Sequence, residues 1–350
     1  MTRARDQAGR SFDGGVSHLR IAIILPDGTP VAGGNWTTAV RLEAGLAARG
    51  HEVRRSYLSD ACLDDVDVIH ALNARSVGVP LLRSGVNPAS VVVTWTGTDL
   101  WNPERFPDSE RALLKAAGAH TVLGRDAIPQ VSHKVGIPTT EVVLVPPGVD
   151  TARFSPDGSR VDLPHPVLLL PGAGRHEKGT LDALDLADEL NRALPVHLAI
   201  VSPARDAKYW AEVEERLQQS PEARWYGTAE LRDMPQWYRA ADLVINTSFT
   251  EGLSNALLEA LACGRPILAR DIPGNRSLLH PEDAGVLFRT PTEFVDRALD
   301  LLTRPAEARA LSVRARNHAL RHYTLDQEVE TFLALYRDMV ESPCRRGTGQ

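Results

Sequence analysis

The chain has 350 residues, a length that suits two α/β domains better than one. Its hydrophobic content of 43%, charged content of 24% and net charge of -6 are those of an ordinary globular protein and argue against a general nucleic-acid binder. Three widely spaced cysteines favour a reducing compartment, and no apolar run approaches the ~18 residues of a membrane span. We therefore expect a cytoplasmic protein in which residues 1–18 form a disordered tail.

The first half of the chain alternates strand patterns with helix patterns. Short β-branched or apolar runs predict strands at 19–25, 51–57, 67–71, 90–96, 120–123 and 142–145. Helical spacing of apolar residues predicts helices at 36–48 and 111–117. This alternation is typical of a mostly parallel, doubly wound sheet, whose ligands lie at the carboxyl ends of strands. The loops at 33–35, 73–75 and 97–99 should share that edge.

A second alternating series follows a connection rich in proline and glycine. We place the linker at 156–166, between an N-terminal domain at 19–155 and a C-terminal domain at 167–322. Strands are expected at 167–170, 196–201, 224–226, 242–246, 266–269 and 285–288. Helices are expected at 180–191, 207–219, 234–240, 291–302 and 306–322, and a last helix at 323–341 precedes a loose tail at 342–350. Two such α/β domains should enclose a ligand cleft.

The stretch from Asn246 to Asn275 carries the clearest functional pattern. It predicts strand, loop, helix, turn and strand, with Ser254 as the helix N-cap. Glu251 and Glu259 flank the start of this helix, where backbone N–H groups and the helix dipole favour an anion such as a diphosphate. Carboxylates on either side could accept hydrogen bonds from hydroxyls of the same ligand, which indicates a sugar nucleotide. The alternative is a first-turn charge and a solvated helix face.

Two cations follow the first strand of the second domain. The loop at 172–179 lacks the full spacing of a dinucleotide fingerprint or a P-loop, but it contains Arg175 and Lys178. Cations at this edge could neutralise a diphosphate and stabilise it as a leaving group. Two solvated surface charges are the alternative interpretation.

Acceptor-side candidates come from the first domain, and each has a structural alternative. Gly34 and Asn35 could bind an anion at a helix N-terminus, or form a tight turn with Asn35 as N-cap. Arg75 could meet a phosphate or carboxylate, or be a surface cation. Asp99 could be a base or an acceptor clamp, or an N-cap. No Asp-x-Asp element follows a strand, so we expect an enzyme that needs no metal ion or other cofactor.

Several motifs in order resemble a known family. The segments PPGVDTARFSP, GRHEKG and YRAADLVINTSFTEGLSNALLEALACGRPILA, together with the closing helix, make residues 19–340 similar to the GT-B glycosyltransferases of the large retaining family that uses nucleotide sugars. The resemblance implies two Rossmann-like domains facing a cleft, with the last helix crossing back to the first domain. It also implies a nucleotide-sugar donor, with a UDP-sugar expected, and a small-molecule or glycan acceptor.

The same resemblance implies roles for individual residues. Arg175 and Lys178 would hold the diphosphate and, with Glu251 on the transferred sugar, form the catalytic group. Glu259 would contact the ribose. The remaining donor contacts would come from the loop residues Gly174, Gly252, Leu253 and Ser254.

A narrower resemblance rests on GGNWTTAVR, VVVTWTGTDLW and PILARDIPGNRSLL. These segments are similar to selenosugar synthases, which use selenophosphate as acceptor, and to the animal glycosyltransferase-1-domain-containing proteins. Many members of the wider family carry a histidine in the loop that here contains Thr96 and Asp99, either of which would replace it. Lys178-Gly179-Thr180 and the lack of a double glycine at Gly252 depart from the selenosugar pattern. A phosphorylase or epimerase and a binding subunit without activity stay open alternatives.

Overall fold

The computed structural model describes residues 18–31, 33–101, 105–172, 174–280 and 282–341. The two predicted tails, apart from His18, lie outside these ranges. Two six-stranded sheets, one in each half of the chain, form the framework, and every strand pair is parallel. The predicted doubly wound α/β class is therefore confirmed.

The first sheet has the strand order β2-β1-β3-β4-β5-β6. Its strands are β1 Arg20–Leu25, β2 Glu52–Tyr57, β3 Val68–Leu72, β4 Val91–Trp95, β5 Ala119–Val122 and β6 Val142–Leu144. The helices of this half are α1 Gly34–Ala47, α2 Val79–Arg83, α3 Thr98–Trp101, α4 Asp108–Lys115 and α5 Ile128–Val131. The central strands β3 and β4 are buried along their whole length because helices cover both faces.

The second sheet has the order β12-β11-β10-β7-β8-β9. Its strands are β7 Val167–Pro171, β8 His197–Val201, β9 Ala223–Trp225, β10 Leu243–Asn246, β11 Ile267–Arg270 and β12 Val286–Phe288. Its helices are α6 Thr180–Asn191, α7 Ala207–Leu217, α8 Met234–Ala240, α9 Asn255–Ala262, α10 Pro273–Leu279, α11 Pro291–Thr303 and α12 Pro305–His322, followed by α13 Leu325–Glu341. No helix in the described ranges is long and apolar enough to cross a bilayer.

Several helix starts differ from the sequence predictions, and three of them bear on the site. Helix α1 begins at Gly34 with Gly33 in the cap position, so the predicted tight turn with Asn35 as N-cap is wrong. Helix α3 begins at Thr98, which puts Asp99 inside the first turn rather than at a cap. Helix α10 was not predicted, although Pro273 occupies the first helical position, where proline is favoured.

Helix α13 crosses back and completes the core of the first domain, as the family resemblance predicts. Val329, Phe332 and Tyr336 are fully buried against the same cluster as the residues of β1. The hydroxyl of Tyr336 lies 2.7 Å from Nδ1 of His70 on β3. Burial lowers the pKa of His70 to about 3, so this histidine is neutral and structural.

A buried ion pair ties α13 to α1. Arg41 donates from Nε and Nη2 to the two carboxylate oxygens of Glu328, at 2.7 and 2.9 Å. The Glu328 side chain is 1% exposed and that of Arg41 11% exposed. Arg41 also donates to Asn255 Oδ1 at 3.2 Å, at the start of α9 in the second domain. One guanidinium therefore links both domains and the crossing helix.

Replacing Arg41 by alanine should lower the free energy of unfolding of the first domain by about 3–5 kcal/mol, because Glu328 would be left as an unpaired buried charge. Urea unfolding followed by tryptophan fluorescence measures the change. Arg49→Ala is the matched control, since Arg49 also joins α1 to α13 but pairs with the exposed Asp326 and Glu330. It should cost at most about 1 kcal/mol. Equal losses in the two variants would contradict the prediction.

Candidate active site

The carboxyl edges of the two sheets meet at a pair of glycines. The loop after β4 contains Gly97 (φ +108°), and the loop after β10 contains Gly252. A Cβ on Gly97 would lie 3.3 Å from the backbone N of Gly252, and a Cβ on Gly252 would lie 3.2 Å from Cα of Gly97. A side chain at either position would crowd the other loop. This contact places the acceptor-side loop directly against the predicted donor loop.

The centre of the donor loop is an ion pair between Lys178 and Glu251. Lys178 Nζ lies 2.6 Å from Glu251 Oε1, and the hydroxyl of Ser248 donates to the same oxygen at 2.8 Å. Burial acts to raise the pKa of Glu251, but the Lys178 charge and these hydrogen bonds hold it below its usual range. The carboxylate is therefore ionised, and the two residues predicted from separate motifs are in contact.

The ends of the Asn246–Asn275 stretch are joined to each other. Asn275 Nδ2 donates to Asn246 Oδ1 at 3.0 Å, and the same oxygen accepts from the backbone N of Ser248 at 3.1 Å. Helix α10 packs against the donor loop. A Cβ on Gly274 would lie 2.5 Å from the carbonyl oxygen of Glu251, so only glycine fits there. No sequence motif marks Gly274, because its role depends on packing against the donor loop.

Helix α9 points its N-terminus into the same site. Ser254 is the N-cap, as predicted, and its hydroxyl accepts from the backbone N of Leu257 at 3.5 Å. The side chain of Leu253 is buried in the core of the second domain, which anchors the loop. Backbone N–H groups of the first helical turn have no intrahelical acceptor. Residues 252–254 therefore lie at a position that suits an anion.

A third cation joins Arg175 and Lys178 at this edge. Arg205 follows β8, and its Nη2 donates to the carbonyl of Val31 in the first domain at 3.0 Å. Burial and the nearby charge of Arg175 lower the pKa of Arg205. The backbone carbonyl of Gly174 accepts from the N–H groups of Arg205 and Asp206, which fixes the two loops side by side. Arg205 had no sequence signal, because its significance lies in contacts between distant segments.

Glu259 is part of helix α9 and lies beside a cavity of about 150 Å³ between the domains. The hydroxyl of Tyr238 donates to its Oε2 at 2.7 Å. Burial raises the pKa of Glu259 to about 7, although Tyr238, Arg41 and Arg153 act in the opposite direction. The alternative of a solvated charge is therefore wrong for Glu259. The cavity wall combines α1 residues such as Thr37 with second-domain residues such as Glu259.

On the acceptor side, a buried carboxylate joins two loops. Asp99 accepts from the backbone N of Ala74 at 2.6 Å and from that of Thr96 at 3.0 Å, and burial raises its pKa. These bonds give Asp99 a positioning role for the loops after β3 and β4. Asn73, with φ 107°, uses its side-chain amide to approach the Thr96 hydroxyl at 3.5 Å. Thr96 thus lies next to the Gly97–Gly252 contact.

The other acceptor-side candidates lie on either side of this contact. The Arg75 guanidinium stacks 4.4 Å from the ring centre of Phe106. Burial of Lys134 and the nearby charge of Arg75 together lower the pKa of Lys134. The N-terminus of α1, with Gly34 and Asn35, starts beside Arg205, which hydrogen-bonds the preceding turn. Arg75 and the α1 terminus therefore both lie at the carboxyl edge of the first sheet.

Comparisons with known proteins agree with this geometry. Residues 165–304 match the family model described as Glycosyl transferases group 1. Glycosyltransferase 1 domain-containing protein 1 of Xenopus tropicalis is 27% identical over 325 residues, which cover 86% of this chain and 93% of that protein. D-inositol 3-phosphate glycosyltransferase 1 of Catenulispora acidiphila is 28% identical over 310 residues, which cover 79% of this chain and 73% of that protein.

A solved structure shows the same fold. The crystal structure of Anabaena Alr3699/HepE in complex with UDP and glucose superposes with a TM-score of 0.72 at 15% identity, covering 91% of this chain and 99% of that one. The two facing α/β domains and the crossing helix are thus the GT-B arrangement that the resemblance implies. The chain is thus a retaining glycosyltransferase, and its residues 165–304 match the group 1 family.

Proposed function

We propose that this enzyme transfers a hexosyl group from a UDP-sugar to a phosphorylated small molecule, with retention of configuration at the anomeric carbon. The observation that carries the donor assignment is the buried Lys178–Glu251 pair at the N-terminus of α9. Uridine as the base is supported by the similar Anabaena structure, which holds UDP. On the acceptor side, Arg75 and the N-terminus of α1 support an anionic acceptor less directly.

In this proposal the donor diphosphate lies between Arg175, Lys178 and the backbone N–H groups of residues 252–254. The bond from the anomeric carbon to the β-phosphate oxygen breaks while the acceptor hydroxyl attacks from the same face. The hydroxyl proton passes to the departing phosphate oxygen. Cations fixed beside that oxygen stabilise its developing charge, which replaces the work of a metal ion. Glu251 contacts hydroxyls of the transferred sugar, and Glu259 contacts the ribose.

The identity of the acceptor is a separate part of the proposal. The name of the Catenulispora relative gives an inositol phosphate as its substrate, which is one acceptor to test. Selenophosphate is a second, because of the sequence similarity to selenosugar synthases. Both are small anions that Arg75 or the N-terminus of α1 could bind. A cytoplasmic location stays a prediction.

A screen of donors and acceptors tests the function. The protein is incubated with UDP-, GDP- or ADP-glucose and with inositol 3-phosphate, selenophosphate, thiophosphate or unphosphorylated inositol, without added Mg²⁺ or Mn²⁺. We expect release of UDP, accelerated by a phosphorylated acceptor. Tight UDP binding without turnover of any donor would instead support a binding subunit, and acceleration by inositol alone would contradict the anionic acceptor.

Replacing Lys178 by alanine should lower kcat/KM for the donor by about 10²–10³, since a fixed charge beside the leaving group is lost. Donor hydrolysis or transfer, measured as UDP release, gives the value. The side chain is partly exposed, so the fold should persist. Glu251→Ala should cause a similar loss, because it removes both the sugar contact and the partner of Lys178.

Lys208→Ala is the matched control, because Lys208 is an exposed lysine of the same domain at the start of α7. It should retain the activity of the unchanged protein. Ser254→Ala should also be mild, about 1 kcal/mol in stability, since the cap bond is long. Full turnover in Lys178→Ala would remove the basis of the site assignment.

The affinity for uridine should depend on pH through Glu259. Its carboxyl has a pKa of about 7. When ionised, it accepts hydrogen bonds from ribose hydroxyls more strongly. Below this pKa the carboxyl is protonated, so the Kd should be roughly tenfold higher at pH 6 than at pH 8. Isothermal titration with uridine is preferred to UDP, because uridine has no phosphate that titrates in this range.

Glu259→Gln separates this effect from other titrations. The variant keeps the shape of the side chain but has no charge to lose, so its affinity for uridine should be nearly constant between pH 6 and pH 8. The same pH dependence in Glu259→Gln and in the unchanged protein would rule out Glu259 as the ribose ligand.

A further inference from the structure

A cluster of possible metal ligands lies outside the proposed active site. Glu282 is in the turn between α10 and β12, and His318 and His322 lie one helical turn apart at the end of α12. One ligand atom from each residue falls within 4.8 Å of the others. Spacing of four residues puts both imidazoles on the same face of the helix. Two histidines and a carboxylate are ligands that Zn²⁺ prefers.

The tautomer of His318 points to a ligand in this cluster. The side chain is 2% exposed, and its Nε2 donates to the carbonyl of Leu278 at 2.8 Å. In the neutral ring, Nδ1 therefore carries a lone pair. Within the described part of the chain, this buried atom has no aligned hydrogen-bond partner. It faces Glu282 Oε2 at 3.3 Å. A lone pair that faces a carboxylate is unfavourable, and either a proton on Nδ1 or a metal ion between the two atoms would remove the repulsion.

One separation fits a tetrahedral ion directly. Two ligands at the usual Zn–N and Zn–O distances of about 2.0–2.1 Å are about 3.3–3.4 Å apart in a tetrahedron, and His318 Nδ1 and Glu282 Oε2 are 3.3 Å apart. His322 Nε2 lies 2.9 Å from the other carboxylate oxygen, Oε1, so its side chain would shift to reach the ion. The bond from His318 to the Leu278 carbonyl is also the outer contact that orients a ligating histidine.

Arg321 also binds the carboxylate of Glu282. Its Nη1 donates to Glu282 Oε1 at 2.9 Å. Oε2, on the side of His318, is the oxygen that would bind the ion, so Arg321 could keep its contact and hold the carboxylate in place. His322 would give up its hydrogen bond to Oε1. Its Nε2 proton would pass to solvent or, through solvent, to its own Nδ1.

We propose that Glu282, His318 and His322 form a zinc site, with water as the fourth ligand. The ion would join the end of α12 to the turn after α10. Helix α10 is about 10 Å long, and its other end, at Gly274, supports the donor loop. The site would therefore stabilise the second domain from a position remote from the reacting atoms, and it would take no part in sugar transfer.

Metal binding tests the site directly. The full chain is stripped with a chelator and dialysed, and then titrated with ZnCl₂ in competition with a chromophoric chelator. We expect one Zn²⁺ per chain and a higher Tm when zinc is bound. His322→Ala should weaken zinc binding by more than about 100-fold, since loss of a ligand exceeds the 10–100-fold cost of losing an outer contact. Its exposed position makes unfolding of the variant a minor concern.

His280→Ala is the matched control, because His280 is another exposed histidine two residues from Glu282 and outside the cluster. It should bind zinc like the unchanged protein. Glu282→Gln provides a second test, and it should also weaken binding. The proposal is wrong if the stripped protein does not bind zinc, or if His322→Ala and His280→Ala bind it equally. Lower stability of Glu282→Gln with no change in zinc affinity would instead identify a cluster of ion pairs.

Discussion

The contact between Gly97 and Gly252 is the constraint on which the active site depends. Two strand-end loops from different domains approach so closely that a side chain on either glycine would force the other loop to shift. Each glycine therefore fixes how far the other domain can advance. The backbone N of Thr96 donates a hydrogen bond to Asp99, and the donor loop packs against Gly274. The distance between the two loops is thus set by backbone packing, and the candidate site residues lie on either side of the contact.

Electrostatics adds a second constraint to this geometry. A buried carboxylate such as Glu251 is stable as an anion only with partners, and Lys178 and Ser248 supply them. The same pair keeps the ammonium group in place before any diphosphate arrives. Arg175 and Arg205, by contrast, lie close enough to repel one another. An anion placed between the cations would relieve that repulsion, so the site without ligand already contains the charge arrangement that a diphosphate requires.

The sequence predicted what depends on neighbours in the chain. Alternating patterns located the strands of both sheets to within a residue at most ends, and the spacing of Glu251 and Glu259 identified the donor motif. The errors have a common physical cause, which is dependence on distant segments. Arg205 acquires its place through Val31, 174 positions earlier. Helix α10 was hidden because a proline followed by a glycine is also typical of a loop, and packing against the donor loop selects the helix.

The crossing of α13 has a consequence for the order in which the chain folds. Phe332 and Tyr336 belong to the same core as β1, although β1 lies near the start of the described chain and α13 near its end. During synthesis the ribosome releases the first sheet and α1 long before α13 exists, so the part of that apolar face that α13 covers stays exposed until then. The second domain can bury its own core in the meantime. Loss of α13 should therefore destabilise the first domain, although the lost residues lie at the far end of the chain from β1.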